Sequence, residues 1–262
     1  MALPDGQNIT VQGDGDWSFP NGTVLMKHFR LGGRLIETRL FMRHPDGVWG
    51  GFSYAWNAAQ TDASIVRGGA VRDIGEQNWI FPSESDCLEC HTGAAGRALG
   101  LETAQLNRSF TYPQTNRTSN QLTTLNHIDL LTPEITDAAS QPSMPDPFDT
   151  SAPLANRARA YLHTNCSQCH RPGGSTPSSM DLRYATALAS TQSCNVSPQS
   201  GGDLGLGASA RLIAPGSATH SLVVNRMNRR DSHAMPPLGS NVVDTAGVSL
   251  LTQWIDGLTG CQ

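Results

Sequence analysis

Two five-residue runs carry the chemistry of this chain: Cys87-Leu88-Glu89-Cys90-His91 and Cys166-Ser167-Gln168-Cys169-His170. In each, two thiols stand three positions apart and an imidazole follows the second. That spacing suits thioether bonds from both thiols to the two vinyl groups of one porphyrin, which leaves the following imidazole beneath the iron as a ligand. The expected cofactors are two covalently bound haem c groups, one on Cys87, Cys90 and His91 and one on Cys166, Cys169 and His170. The rival is a zinc site made from the four cysteines. Zinc ribbons separate their pairs by about 15–20 residues, whereas 75 residues lie between Cys90 and Cys166, and both pairs are followed by histidine.

A sixth ligand for the second iron is offered by His233-Ala234-Met235-Pro236-Pro237-Leu238-Gly239, with Met235 standing 65 residues after His170. A motif helix, the CxxCH, a Met-Pro loop and a final amphipathic helix occur in that order between Leu154 and Leu258. The order resembles class I cytochromes c. The resemblance implies that Met235 sulfur binds the iron opposite His170 and raises its potential relative to bis-histidine ligation. His233 is the second choice. Residues 193–212, which hold Cys194, stand as an insertion relative to a minimal domain of that family.

For the first iron, Lys27 draws the eye because it is the only lysine among 18 basic residues. A surface lysine exchanges readily with arginine, whereas a lysine in a pocket does not. It ends the run Phe19-Pro20-Asn21-Gly22-Thr23-Val24-Leu25-Met26-Lys27. This run is similar to the Phe/Tyr-x-x-Gly-Thr-Val-x-x-Lys segment of cytochromes c′-beta and their lysine-crosslinked relatives, over Trp17 to His91. The resemblance implies a haem in an apolar β pocket with an open distal face, and a Lys27 that contacts or is bonded to the haem edge. His28, Met26, His127, His44 and Met144 are the other candidates for the sixth position, His28 first among them. By strand alternation, Met26 and His28 face away from Lys27.

Cys194 and Cys261 remain after the two motifs are counted. In an oxidising compartment they are expected to form one disulfide that closes 66 intervening residues, worth about 4 kcal/mol on the loop-entropy view. Two free thiols are the alternative. The start, Met1 to Thr10, has no apolar core of a signal peptide, and haem is attached to CxxCH outside the bacterial cytoplasm. The expectation is a periplasmic or extracellular chain cut from a longer precursor, with Met1 a cloning remnant. No run of 18 apolar residues spans a membrane. The net charge of −4 argues against a nucleic-acid partner.

The elements that must position these groups differ between the halves. Residues 23–81 read as strands: 23–29, 35–43, 48–56, 63–71 and 78–81, with His44-Pro45-Asp46-Gly47 as a turn. Short helices are expected at 101–107 and 120–131. Residues 132–153, rich in Pro, Ser, Asp and Thr, read as a connector. Helices are expected at 154–164, 221–229 and in a final stretch capped by Asp244 or Thr245, with Leu251, Trp254, Ile255 and Leu258 on its apolar face. The expected fold class is α+β: an N-terminal antiparallel β-sheet haem domain (1–135), a linker (136–153) and an all-α class I cytochrome c-like domain (154–262).

The stretches Trp17 to Phe29, Trp79 to His91 and Cys166 to Gly173 also resemble dihaem modules of large secreted bacterial proteins, some of which are joined to carbohydrate-binding modules. The leading functional expectation is electron transfer between redox partner proteins. The alternative is a haem enzyme, peroxidase-like or oxidising a small molecule, with an open first haem and the second as relay; His28, Arg30 or Glu37 would then assist acid–base steps. A ligand sensor or structural redox module is the third.

Overall fold

Short apolar runs set between glycines and prolines give the first part of the chain several small sheets. The structure, a computed structural model, describes residues 1–199 and 201–262. It divides into two units, Met1–Met144 and Pro145–Gln262.

In the first unit, β1 (Ile9–Val11) and β2 (Trp17–Ser18) pair antiparallel. An antiparallel meander follows, of β3 (Val24–Leu31), β4 (Arg34–Arg43), β5 (Trp49–Trp56) and β6 (Ala63–Val66). Next, β7 (Ala70–Ile74) and β8 (Gln77–Phe81) form a separate hairpin. Helices α1 (Glu84–Cys90) and α2 (Thr103–Leu106) precede a further hairpin, β9 (Ser109–Tyr112) with β10 (Arg117–Asn120). After α3 (Gln121–His127), β11 (Leu131–Thr132) returns to pair in parallel with β1, Ile9 opposite Leu131. Ile9, Trp17, Phe19, Leu122 and Leu131 are buried together there.

The second unit holds α4 (Leu154–Cys166), α5 (Leu222–Met227) and α6 (Thr245–Asp256). Asp244 caps α6 by accepting from the Gly247 amide at 2.9 Å, in the manner that favours aspartate before a first turn. Leu162 of α4 packs with Leu251, Trp254 and Ile255 of α6 in one buried cluster. Helices α4 and α6 meet where Tyr161 overlies Gly247, and the Tyr161 hydroxyl donates to Asp244 at 2.8 Å. Cys194 and Cys261 are joined, their Cα atoms 5.7 Å apart, which ties the chain's last residues to the loop beside Ile213.

The expected fold class is corrected on two counts. The N-terminal part is not one antiparallel sheet domain: the described residues form 11 strands in four small sheets, one of them with a parallel pair. The segment expected as one strand at 63–71 breaks at Gly68 and Gly69, which both take positive φ, a backbone state open to glycine. The C-terminal part is not an all-α domain. Between α4 and α5 the chain runs through turns, short 3-10 segments and isolated bridges such as Cys194 with Ile213, because Gly, Pro and Ser there supply turns rather than helical turns. Within the segment 136–153, Asn107 donates to the Ala138, Gln141 and Pro142 carbonyls in the first unit, and Arg157 donates to the Pro147 carbonyl in the second. No helix among the described residues is long and apolar enough to cross a membrane.

Candidate functional site

The first cysteine pair is carried by α1. Ser83 caps this helix in a reciprocal box: its hydroxyl accepts from the Asp86 amide at 3.1 Å, and the Asp86 carboxylate accepts from the Ser83 amide at 2.9 Å. Cys87 and Cys90, three residues apart, share a helix face, and His91 follows at the C-cap. The His91 Nδ1 lies 2.6 Å from the Arg97 carbonyl, and Arg97 Nη1 donates back to the His91 carbonyl at 2.7 Å. A carbonyl only accepts, so Nδ1 carries the proton and Nε2 keeps its lone pair, the arrangement that prepares a histidine to bind metal. Burial lowers the His91 pKa. The hydrogen bond to Arg97 opposes this, and the charges of Lys27, Arg39 and Arg97 add to the lowering. Burial also raises the Cys87 thiol above its usual range.

Helix α1 sits against β5 at a glycine. A Cβ on Gly51 would lie 2.5 Å from Cys87 Sγ, so only glycine lets the thiol come this close. Strand register then assigns the faces. Leu25 pairs with Phe41 and Phe41 with Gly51; Lys27 pairs with Arg39 and Arg39 with Ser53. Lys27, Glu37, Arg39 and Phe41 therefore share the face that carries Cys87 and His91. The Phe41 ring stands 4.0 Å from the His91 ring and stacks on Trp49 at 4.9 Å.

On this face Glu37 is fully buried. Arg39 grips it with two hydrogen bonds, of 2.7 and 3.0 Å, and Trp79 Nε1 donates to it at 3.0 Å. Arg39 also lies over the Phe29 ring at 4.3 Å, with the Lys27 amine over the same ring at 5.1 Å. Lys27 is open to solvent but hemmed in by protein: desolvation, and then the Arg39 charge, lower its pKa. The carboxylate–guanidinium–indole cluster went unread in the sequence, although Glu37, Arg39 and Phe41 share a strand face by alternation.

The other residues expected as ligands beside this cysteine pair lie elsewhere. His28 is on the opposite sheet face, its Nδ1 2.7 Å from the Thr38 hydroxyl, and Met26 shares that face. His44 packs against Phe52, also there. His127 is exposed at the end of α3, and Met144 is buried with its amide bonded to the Ala104 carbonyl.

The second cysteine pair leaves the end of α4. The His170 amide donates to the Cys166 carbonyl at 2.9 Å, and the Leu182 amide to the His170 carbonyl at 2.9 Å. Position 174 admits no side chain, since a Cβ there would fall 2.0 Å from the Cys169 carbonyl oxygen. Cys166, His170 and Met235 line one cavity of about 420 Å³, with Leu182, Leu222 and Met227 among its apolar walls. Desolvation, with the neighbouring Cys169, pushes the Cys166 thiol up to about 12. Burial, and then the Arg226 charge, lower the His170 pKa. The Met235 amide donates to the Arg226 carbonyl at 2.9 Å, so α5 holds the Met loop at this wall. His233 is exposed, its amide bonded to Asp231, and is not part of the cavity lining. Among the described residues, no group of three or more His, Cys, Asp and Glu side chains is arranged to hold a bare metal ion.

These features fit the group that the motifs imply. The cavity has the size of a small-molecule or cofactor site, and it joins a thiol, an imidazole and a thioether. No protein-family model, no curated protein and no solved structure matches the chain.

Proposed function

We propose that the chain is a dihaem c-type cytochrome that transfers electrons between redox partner proteins in the periplasm or outside the cell, as a module of a larger secreted protein. The observation that carries this reading is the meeting of Cys166, His170 and Met235 around one cavity. When bound, each haem supplies a one-electron iron couple. Cys87 and Cys90 would hold one group and Cys166 and Cys169 the other. His91 and His170 would be the axial imidazoles, and the Arg97 carbonyl keeps His91 in the tautomer that offers Nε2. Met235 offers a soft donor that favours the reduced metal. Leu182, Leu222 and Met227 would give the second site an apolar wall. The Cys194–Cys261 bond suits an oxidising compartment.

A second reading, a haem enzyme acting on peroxide or another small molecule, draws on one observation. The face beside Cys87 and His91 carries Lys27, Glu37 and Arg39, while His28 and Met26 of the same strand region point away. An open distal position flanked by charged groups would suit acid–base work.

Low-temperature electron paramagnetic resonance of the ferric protein tests the choice. Two low-spin signals are expected for electron transfer alone. One high-spin signal assigns the first site to the second reading. Purified protein without c-type haem bands ends both.

A further inference from the structure

The cavity of the second unit holds a cation that no side chain among the described residues balances. Arg226 lines the cavity from α5, and among the described residues its guanidinium has no hydrogen-bond or ion-pair partner. It lies close against the chain at Gly201, where a Cβ would come within 2.8 Å of its Nη2. Arg230, three residues past the end of α5, also lines the cavity. Its Nη atoms are used on the Met227, Arg229 and Val242 carbonyls, and its buried Nε has no partner. The single carboxylate of the lining, Asp244, is already engaged by the Tyr161 hydroxyl and the Gly247 amide. Two guanidinium groups thus face one committed carboxylate. A partly buried guanidinium without an acceptor is costly, and a carboxylate from a ligand would relieve it by charge-assisted hydrogen bonds.

We propose that Arg226 is the counter-ion for a carboxylate side arm of the cofactor held in this cavity, and so fixes which edge of the ring faces α5. The ligand class is a flat apolar ring with acidic arms, and the inference rests on the haem reading above. The pairing also favours the reduced iron, because a fixed positive charge near the ring disfavours the additional charge of the ferric state.

The experiment uses the full chain with both haems attached, counted by intact mass. Arg226→Gln is expected to shift the ferric/ferrous equilibrium of the second haem about tenfold toward ferric, a fall of about 59 mV for a one-electron couple. The first haem's potential and the second haem's axial-ligand spectrum stay as they were. Arg226→Lys keeps the charge and changes the hydrogen-bond geometry. It should hold the potential and displace the carboxylate-arm bending band in resonance Raman of that haem. With two haems attached, an unmoved potential in Arg226→Gln overturns the proposal and leaves the haem reading standing. If Arg226→Gln does not fold, an unmoved Raman band in Arg226→Lys overturns it instead. A native protein that carries no haem overturns both together.

Discussion

The Tyr161 side chain fills the space where a side chain at position 247 would stand: a Cβ on Gly247 would lie 2.3 Å from its ring. Helices α4 and α6 can cross this closely only while 247 is glycine. Gly247→Ala is expected to cost about 1–3 kcal/mol, the usual range for overpacking a tight core. The urea midpoint reads it. Tyr161→Phe, which removes only the hydroxyl bonded to Asp244, should cost about 1 kcal/mol.

Met235 and His233 are two residues apart and differently placed. On the dihaem reading, Met235→Ala is expected to lower the potential of the second haem and to remove any sulfur-to-iron absorption band. His233→Ala should change neither. The reverse pattern would make His233 the ligand.

Register separates Lys27 from His28 on the first unit's sheet. On the dihaem reading, replacing Lys27 with Ala is expected to perturb the absorption spectrum of the first haem, because Lys27 shares the face of Cys87 and His91. His28→Ala, on the other face, should leave that spectrum unmoved and cost only its bond to Thr38.

At Gly51 the approach of Cys87 is the point at issue. Gly51→Ala would put a methyl group 2.5 Å from the thiol sulfur. If the dihaem reading holds, intact mass should then show one haem fewer per chain, with the second attachment unaffected.

Asp181 gives the acid limb of stability a definite shape. Burial alone would push its carboxyl up. The Arg183 guanidinium, the Thr186 hydroxyl and the Arg183 amide outweigh this and hold it at about 2. A depressed carboxyl stabilises the fold at pH values above its unfolded pKa of about 3.9. That stability is lost as pH falls from about 4 through 2, and amounts to about 2 kcal/mol. Asp181→Asn should lose it at neutral pH and flatten the decline, as read by urea midpoints from pH 6 to pH 2.

Much of the candidate site is legible in residue types and order. Cys87, Cys90 and His91, and their counterparts at 166, 169 and 170, are picked out by spacing alone, and the cavity brings Cys166 and His170 together with Met235. The pairing of Cys194 with Cys261 follows from counting, and Lys27 is separated from His28 by a period of two. What is not legible depends on distant backbone. Arg226 is one arginine among many until the cavity shows it without a partner among the described residues. Gly51 and Gly174 look like ordinary loop or strand glycines until Cys87 and the Cys169 carbonyl arrive beside them. The parallel pairing of Ile9 with Leu131 joins residues far apart in the chain, and no local pattern announces it. The expectation of an all-α C-terminal part fails for a physical reason: among the described residues, the Gly-, Pro- and Ser-rich stretch between α4 and α5 builds cavity wall with turns and single 3-10 turns but no α-helix.

The bond between Cys194 and Cys261 closes a ring that contains Arg226 and Met235 but leaves Cys166 and His170 outside it. A protease that nicks the backbone once anywhere within that ring releases no fragment. The clipped protein would still run as a single band on a non-reducing gel, and would separate into two pieces only after thiol treatment; on the dihaem reading, any attached pigment would follow the N-terminal piece, which holds both CxxCH runs.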